Sequence, residues 1–278
     1  MPSSQSHLNK VPYLSVIIPA FGQEKTLLED VNRIDNALKK TRYTYEIILV
    51  IDGKKNEHDH SLEIAVPLQR KNLQVLGYSV NHGKGYAVRF GMARSSGKVV
   101  AFIDSGMEIS PNSLNLAMEH LQWYNADIIV GSKRHPASKV DYPPIRKLMS
   151  LGYQILVWAL FGLRVRDTQV GMKIFRREVM EKVMPRLLVK RYAFDIEILA
   201  LSHALGFKRI YESPVEFGYS FSSVTSAANL RSIYLMIWDT LAVYYRLNIR
   251  KYYSIRNKKS WIIDKNVMLK KNLEVHKA

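Results

Sequence analysis

The sequence predicts an α/β protein whose core is a mainly parallel, doubly wound sheet with helices on both faces. Segments rich in β-branched residues alternate with amphipathic segments along most of the 278 residues, a pattern typical of parallel strands covered by helices. A glycine-rich turn at 81–85 leads into a helical segment, and acidic residues follow the apolar run at 99–103. Because ligands of open α/β sheets bind outside the carboxyl ends of the strands, this acidic cluster predicts a ligand site.

The alternation predicts six strands and six main helices. Strands are predicted at 14–19, 45–51, 73–78, 98–103, 127–130 and 208–211, and helices at 26–40, 59–70, 84–95, 111–124, 176–184 and 194–205. Thr26 and Glu29 have the spacing of a capping box, which marks a helix start. Ser110 followed by Pro111 is typical of an N-cap with proline at the first helical position.

The composition suits one large domain with appendages. A chain of 278 residues, of which 47% are hydrophobic, can build a full core. The absence of cysteine excludes disulfides and thiolate metal sites, and it suits a reducing cytoplasm. The first residues lack the basic start and apolar run of a signal peptide. These features leave the compartment open.

The charge is unusually positive, at +17, and much of it lies near the C-terminus. Residues 246–278 contain ten Lys and Arg against two acidic residues. Such a segment is typical of a solvated or disordered end, or of a segment with an anionic partner. An anionic membrane surface and nucleic acid are both candidates, because Tyr252, Tyr253 and Trp261 suit either a membrane interface or base stacking. The tail alone does not decide between them.

Two apolar segments, at 148–163 and 230–247, do not have the usual pattern of a soluble domain. Spanning a bilayer needs about 20 mostly apolar residues, but the first segment is too short and Asp239 interrupts the second. Helices lying in the membrane interface fit better, and the alternative is two buried core or dimer-interface helices. We therefore expect a flexible N-terminus (1–12), a main domain (13–228) that includes the apolar helix at 146–163, a membrane-interface helix (229–250) and a basic tail (251–278).

Six motifs, in the right order, resemble those of the family 2 glycosyltransferases. They lie at 15–24 (SVIIPAFGQE), 46–53 (EIILVIDG), 81–111, 131–134 (GSKR), 166–175 (RDTQVGMKIF) and 194–199 (FDIEIL). The last three resemble the polyprenyl-phosphate branch, the dolichyl-phosphate glucosyl- and mannosyltransferases. The likeness covers roughly residues 13–245 and implies a GT-A-type fold that binds a nucleotide-sugar donor.

The resemblance implies a nucleotide site at the ends of the first two strands. Asp52 matches the family aspartate that hydrogen-bonds the nucleotide base, and the alternative is that it caps the turn before Gly53. The first nucleotide-contacting loop contains Pro19, Ala20 and Glu24. The Gly-Lys-Gly turn brings Lys84 towards the base or the phosphates, although the spacing is not that of a Walker loop.

The metal motif of this chain departs from the family pattern. Relatives carry Asp-x-Asp, whereas Asp104 is followed by Ser105 and Gly106, so the second carboxylate is missing. In several lipid-phosphate relatives a third ligand lies two residues further on, at the position of Glu108. Alternate residues of extended chain point to the same side, so Asp104 and Glu108 can flank one ion. Mg²⁺ or Mn²⁺ is the expected cofactor, since Mg²⁺ needs only one or two carboxylates plus phosphate and water.

Cations further along the chain are candidates for binding phosphate. Lys133 and Arg134 follow the Gly-Ser turn, and Arg146 precedes the first apolar segment. A lipid phosphate at the membrane surface would need such cations at the boundary between the site and the bilayer. The resemblance places Gln169 and Lys173 near donor and acceptor, and Asp195 is expected to contact the sugar or the acceptor. No general base is required, because the second pKa of a phosphate monoester is about 6. The expected catalytic residues are Asp104, Arg134, Arg146 and Asp195.

The sequence therefore predicts an inverting hexosyltransferase that uses a polyprenyl-phosphate lipid as acceptor. UDP-glucose is the preferred candidate for the donor, and GDP-mannose is the next. The expected location is the cytoplasmic face of a membrane, as a peripheral or monotopic protein. One alternative is a catalytically weakened nucleotide-sugar-binding or scaffold protein, suggested by Ile51, Lys54 and Gly106, which depart from the family pattern. Another is a nucleic-acid-binding protein, suggested only by the charge and the tail. Association into a homo-oligomer is left open.

Overall fold

The computed structural model describes residues 11–106, 108–138, 144–191, 193–216, 230–262 and 264–267. Strands and helices alternate through most of this part. They are β1 (Leu14–Ala20), α1 (Leu27–Leu38), β2 (Tyr45–Asp52), α2 (Ser61–Ala65), β3 (Leu73–Tyr78), α3 (Lys84–Arg94), β4 (Val99–Ile103), α4 (Ser113–Trp123), β5 (Ile128–Ser132), α5 (Pro144–Phe161), β6 (Met172–Arg176), α6 (Arg177–Val183), α7 (Phe194–Ala204), β7 (Ile210–Pro214) and α8 (Leu230–Tyr244).

The described strands form one sheet in the order β3-β2-β1-β4-β6-β5-β7. β6 runs antiparallel to both neighbours, and the other pairs are parallel, so the predicted mainly parallel sheet is confirmed. β6 itself was missed, because Lys173, its second residue, interrupts the apolar run expected of a buried strand. That lysine is fully buried and lies beside Phe102 of β4.

Helices cover both faces of the sheet, as predicted. Alternate side chains of each strand point to opposite faces, so Ile17 packs in one apolar layer and Ile18 in the other. The first layer contains side chains of α3, α5, α6, α7 and α8, and the second contains side chains of α1 and α4. The carboxyl ends of β1, β2 and β4 meet at one edge between these layers.

The predicted start of the first helix is confirmed, since Thr26 is the N-cap of α1, but two other predicted boundaries were wrong. The predicted capping box at Thr26 is absent: its hydroxyl accepts no helical N–H and donates to Asp30 Oδ2 at 3.1 Å. The helix after Pro111 begins only at Ser113, after a turn in which Ser113 N donates to Ser110 O at 3.0 Å. The helix predicted at 59–70 ends at Ala65 and continues as a short 3₁₀ turn, since Pro67 cannot donate a helical hydrogen bond.

Much of the predicted basic tail packs against the domain. We call residues 251–267 the C-terminal strap. Tyr253, Trp261 and Val267 of this strap are buried, and Arg94 Nη1 of α3 donates to Asn266 O at 2.8 Å. The prediction that Tyr253 and Trp261 meet a membrane or stack on bases was therefore wrong, because both rings are enclosed by protein. Residues 1–10 and 268–278, which cover most of the predicted flexible N-terminus and the end of the tail, lie outside the described residues.

The two apolar segments form α5 and α8, which contact each other and are buried on one side only. Val157 and Val243 belong to the core, whereas large apolar side chains on the other side are exposed. These are Met149, Leu151, Ile155 and Trp158 of α5, and Tyr234, Leu235, Ile237, Trp238 and Leu241 of α8. We call this surface the α5–α8 apolar face. None of the helices in the described part is long and apolar enough to cross a membrane.

Candidate active site

A cavity of about 530 Å³ opens at the carboxyl ends of β1, β2 and β4. This is the edge at which ligands of open α/β sheets bind. Seven of the predicted site residues line it: Pro19, Ala20, Asp52, Lys84, Asp104, Gln169 and Asp195. The structure therefore brings together the first loop, the end of β2, the Gly-Lys-Gly turn and the acidic cluster, which are far apart in the sequence.

Asp52 is buried at the end of β2, and its carboxylate organises the neighbouring loop. Oδ1 accepts from Tyr78 Oη at 2.8 Å and His82 N at 2.9 Å. Oδ2 accepts from Asn81 Nδ2 and Gly83 N, both at 2.9 Å. A carboxylate has about four acceptor sites, so a bond to a nucleotide base would require one donor to leave. The base contact remains a prediction, and the structure shows Asp52 holding the loop that precedes Lys84.

Two lysines and two aspartates form a chain of ion pairs at the base of the cavity. Lys84 Nζ lies 2.7 Å from Asp104 Oδ2 and 3.4 Å from Asp195 Oδ2. Behind them, Lys173 pairs with Asp195 Oδ1 and donates to Val170 O at 2.8 Å. Both ammonium groups also lie 5.3 Å from the centre of the Phe102 ring. Lys173 is fully buried, so the expectation that it contacts donor or acceptor is corrected: it supports Asp195 from behind.

The ion pairs outweigh the effect of burial on the pKa of two of these groups, Asp195 and Lys84. Burial works to raise the pKa of Asp195, but Lys173 and Lys84 outweigh it and hold that pKa below the usual range. Burial also works to lower the pKa of Lys84, and Asp104 and Asp195 more than compensate, so the pKa of Lys84 is raised. Lys84 therefore stays positively charged within the cavity. Asp195 lines the cavity, but both of its oxygens are held by lysines.

Asp104 is the carboxylate best placed to hold a divalent metal. Its Oδ2 is paired with Lys84, whereas its Oδ1 is buried and has no hydrogen-bond partner among the described residues. An unpartnered buried carboxylate oxygen beside a polar cavity suits a cation that arrives with phosphate oxygens. No group of three or more His, Asp or Glu within the described residues forms a metal site by itself. The donor set therefore fits a metal shared with a ligand.

The Asp-Ser-Gly turn is fastened to the rest of the domain by groups that the sequence analysis missed. Gly106 N donates to Asp30 Oδ2 of α1 at 2.9 Å, and Ser105 Oγ donates to Pro19 O at 3.0 Å. Asp30 is buried, and its burial raises its pKa. No sequence signal could have found it, because acidic residues are common in the first turn of any helix. Asp30 thus fixes the position of the turn that carries Asp104.

Gly171 is a second residue that the sequence analysis did not single out, although it lies in the 166–175 motif. Its carbonyl accepts from Asp104 N at 2.8 Å, and a Cβ built on it would lie 2.2 Å from Asp104 Oδ2. Only glycine leaves room for the Asp104 carboxylate in this position. The motif could have identified Gly171, since a glycine between larger residues often marks a place where another group approaches the backbone closely.

Gly171→Ala is expected to displace the Asp104 carboxylate and to weaken Mn²⁺ binding in the presence of UDP by about tenfold. Calorimetry on the folded variant measures this affinity. Gly152→Ala is the matched control, because a Cβ at Gly152 meets nothing within 4 Å. That control should keep wild-type affinity and gain up to about 1 kcal/mol of helix stability. Unchanged Mn²⁺ affinity in Gly171→Ala would show that the Asp104 carboxylate does not hold the ion.

Several predicted site residues do not line this cavity. Glu24 lines a neighbouring cavity of about 540 Å³, which shares Gln23 with the first. Glu108 forms an ion pair with Lys133 instead of facing Asp104 across the cavity. Their roles in nucleotide and metal binding remain predictions.

Arg134 connects the loop after β5 to α5. Its Nη1 donates to Arg166 O at 3.0 Å and to Ser150 O and Oγ, both at 3.3 Å. Arg146 lies in α5, but its side chain is outside the described part of the structure. A role of either arginine in binding the acceptor phosphate remains a prediction.

A line of polar groups connects the cavity to the two apolar helices. Gln169 Nε2 donates to Tyr153 Oη of α5 at 3.3 Å, and that hydroxyl lies 2.9 Å from Thr240 Oγ1 of α8. Burial raises the pKa of Tyr153 to about 12, so its hydroxyl stays neutral. Of these groups, only Gln169 is identified by the sequence analysis. The contacts of Tyr153 and Thr240 depend on how α5 and α8 pack together, and helix packing cannot be predicted from a local sequence motif.

The chain matches known proteins through most of its length. Residues 15–184 match glycosyl transferase family 2. Dolichyl-phosphate beta-glucosyltransferases from Trichomonas vaginalis, Drosophila melanogaster and Homo sapiens are 32%, 34% and 33% identical to it, over 74%, 69% and 68% of this chain. The matched regions cover 65%, 63% and 62% of those relatives. The chain therefore spans slightly less than two thirds of their length.

Solved structures show the same fold. A glucosyl-3-phosphoglycerate synthase from Mycobacterium tuberculosis, in complex with Mn²⁺, UDP and glucosyl-3-phosphoglycerate, has a TM-score of 0.59 at 20% identity, covering 84% of this chain and 79% of that one. Its complex with Mg²⁺ and UDP has a TM-score of 0.58 at 18% identity, covering 84% and 78%. At these identities the likeness concerns the fold alone, and it confirms the predicted GT-A-type architecture.

Proposed function

Because the chain belongs to glycosyl transferase family 2, we propose that it catalyses inverting transfer of glucose from UDP-glucose to a dolichyl or other polyprenyl phosphate at a membrane surface. The observation that carries this proposal is the cavity that joins Asp52, Lys84 and Asp104 at the strand ends. The names of the relatives support glucose as the sugar and dolichyl phosphate as the acceptor. The UDP complexes of a protein with the same fold support UDP as the nucleotide.

The proposed reaction is a single displacement. An oxygen of the acceptor phosphate forms a bond to the anomeric carbon, the bond from that carbon to the diphosphate oxygen breaks, and UDP leaves with the electron pair. The configuration at carbon inverts because the acceptor enters opposite the leaving group. The acceptor phosphate is largely dianionic at neutral pH, so no side chain must remove a proton. The protein's task is to position the two substrates and stabilise the leaving diphosphate.

Lys84 and Asp104 are the residues proposed to act at the diphosphate. A divalent metal, when bound, would neutralise the charge that builds up on the leaving group. Asp104 would hold it, and Glu108 could join after separating from Lys133. Lys84 supplies a positive charge in the cavity, fixed between Asp104 and Asp195. Asp52 shapes the loop on which Lys84 depends.

We propose that the α5–α8 apolar face lies in the membrane interface at the cytoplasmic side. Trp158 and Trp238 are 55% and 60% exposed on it, and aromatic rings favour the interface between lipid and water. The acceptor would then reach the cavity along α5 and α8, past Tyr153 and Gln169. Arg134 is proposed to meet the acceptor phosphate near α5.

The decisive experiment is transfer of labelled sugar to a polyprenyl phosphate, with UDP-glucose and GDP-mannose compared in the presence of Mg²⁺, Mn²⁺ or a chelator. We expect transfer from UDP-glucose, dependence on metal, and a β-linked product. Transfer from GDP-mannose alone would correct the donor. Binding of UDP without any transfer would support the second candidate, a binding protein weakened by the loss of the second carboxylate at Gly106.

If the α5–α8 apolar face lies in the membrane interface, the protein should bind anionic vesicles and move with them in a flotation gradient. Trp158→Ser or Trp238→Ser should weaken this binding by about tenfold, because each removes a large apolar side chain from the lipid. Trp123→Ser is the matched control, since Trp123 is 65% exposed on α4, away from the apolar face. Deleting residues 268–278 should lower binding only at low salt. Equal effects of all three tryptophan variants would contradict the proposed orientation.

A further inference from the structure

The loop at 187–191 packs against the start of α3 and ends at Arg191, which lines the cavity. Lys190 O accepts from Tyr86 N at 3.2 Å. A Cβ built on Gly83 would lie 2.7 Å from Lys190 O and 2.8 Å from Arg191 Cγ. Gly83 also has a φ of +96°, which non-glycine residues rarely adopt. The close contact brings the Arg191 side chain to the lining of the cavity, which Lys84 also lines.

Arg191 contributes positive charge that the cavity does not already neutralise. Lys84 and Lys173 are balanced by Asp104 and Asp195 in the chain of ion pairs. Arg191 is exposed, and no carboxylate in the described part of the structure forms an ion pair with it. A nucleoside diphosphate brings several negative charges, and the planar guanidinium matches phosphate oxygens in a two-point contact.

The C-terminal strap holds this loop through one buried carboxylate. Glu197 of α7 is fully buried and accepts from Leu188 N at 3.1 Å and Val189 N at 2.9 Å. The same carboxylate accepts from Tyr253 Oη of the strap at 2.6 Å. Arg246 Nε in turn donates to Tyr253 Oη at 3.2 Å. Glu197 thus connects the strap to the loop two residues before Lys190 and Arg191.

We propose that Arg191 binds a phosphate group of the nucleoside diphosphate, and that Tyr253 is a positioning residue that holds the Arg191 loop through Glu197. This inference deepens the proposed function and rests on it, because it names the group that meets the donor's phosphates. It also assigns a role to the strap, whose Tyr253 and Trp261 rings are buried in the domain.

The test compares the binding of UDP, uridine and pyrophosphate to the full chain by calorimetry. Arg191→Gln should weaken UDP binding by about tenfold, the loss expected for a charge-assisted contact, and leave uridine binding unchanged. Lys190→Gln is the matched control, because it removes the same charge one residue away from the cavity lining. It should bind all three ligands as the wild type does. Equal loss of UDP and uridine, or unchanged UDP binding, would overturn the role of Arg191.

The outcomes separate this inference from the proposed function. UDP binding that is insensitive to Arg191→Gln overturns the inference and leaves the proposed function standing. Pyrophosphate binding that depends on Arg191, in a protein that binds no nucleoside, supports the phosphate contact and overturns the nucleotide-sugar proposal. Absence of binding for all three ligands overturns both. Arg191→Gln could instead raise the KM for polyprenyl phosphate and leave UDP affinity unchanged. That result would show that Arg191 binds the acceptor phosphate and would overturn the inference.

Tyr253→Phe tests the positioning role. It removes the hydroxyl bonded to Glu197, and UDP binding should weaken by about threefold to tenfold while uridine binding is unchanged. The effect should disappear in the Arg191→Gln background, because a residue that acts through Arg191 has nothing left to position. A purely structural role would lower the Tm and leave the ratio of UDP to uridine affinity unaltered.

Discussion

Asp104→Asn is expected to reduce sugar transfer by a factor of about a hundred or more. The change preserves the shape of the side chain and removes the charge that pairs with Lys84 and that would hold a metal. Asparagine also cannot use the buried Oδ1 position as a charged ligand. Transfer from UDP-glucose to polyprenyl phosphate measures the loss, and thermal unfolding checks that the variant is folded. Wild-type transfer in Asp104→Asn would exclude a catalytic role for this carboxylate.

Two variants at neighbouring positions, Glu108→Gln and Gly106→Asp, test whether other residues share the metal with Asp104. Glu108→Gln should cost much less activity, because Glu108 pairs with Lys133 and does not line the cavity. Gly106→Asp restores the family pattern, and the nearest atom to its Cβ would be Gln23 Nε2 at 3.6 Å. Because Gly106 has a φ of +90°, aspartate there should lower stability by roughly 1–2 kcal/mol. We expect tighter Mn²⁺ binding from this variant despite that cost.

Asp195→Asn is expected to destabilise the fold by about 3–5 kcal/mol, the usual effect of removing one partner of a buried ion pair. Lys173 is fully buried, so its ammonium would lose its counter-charge with no access to water. The double variant Lys173→Met/Asp195→Asn should recover much of the loss, because no buried charge remains from that pair. Urea unfolding measures both. A loss under about 1 kcal/mol in the single variant would contradict the buried pair.

The same pair predicts how stability depends on pH. The folded-state pKa of Asp195 lies below the ordinary value of 3.8, because Lys173 and Lys84 outweigh the effect of burial. Its ionised form therefore stabilises the folded protein above pH 3.8, and this contribution is lost as pH falls through the lower folded pKa. Urea unfolding at a series of pH values should show the stability difference between wild type and Asp195→Asn shrinking below about pH 4.

The sequence determined the parallel part of the sheet and the loops that form the cavity. β1, β2 and β4 are predominantly apolar and lead into polar motifs, and the carboxyl ends of adjacent parallel strands meet at one edge by geometry alone. The strand-end positions of Asp52 and Asp104, together with the family resemblance that includes Lys84, therefore assign these three residues to one site. The position of a strand or helix can be predicted locally, because the spacing of its apolar residues follows the period of that element.

Tertiary structure alone decided which groups pair within that site. Lys173 made β6 look too polar for a buried strand, and only the packed sheet brings Asp195 close enough to neutralise it. The strap has the composition of a solvated basic tail, and only the folded chain brings Tyr253 to Glu197, 56 residues away in the sequence. Burial and partner choice depend on residues distant in sequence, because the free-energy cost of desolvating a charge or hydroxyl is offset only where a matching group is in place.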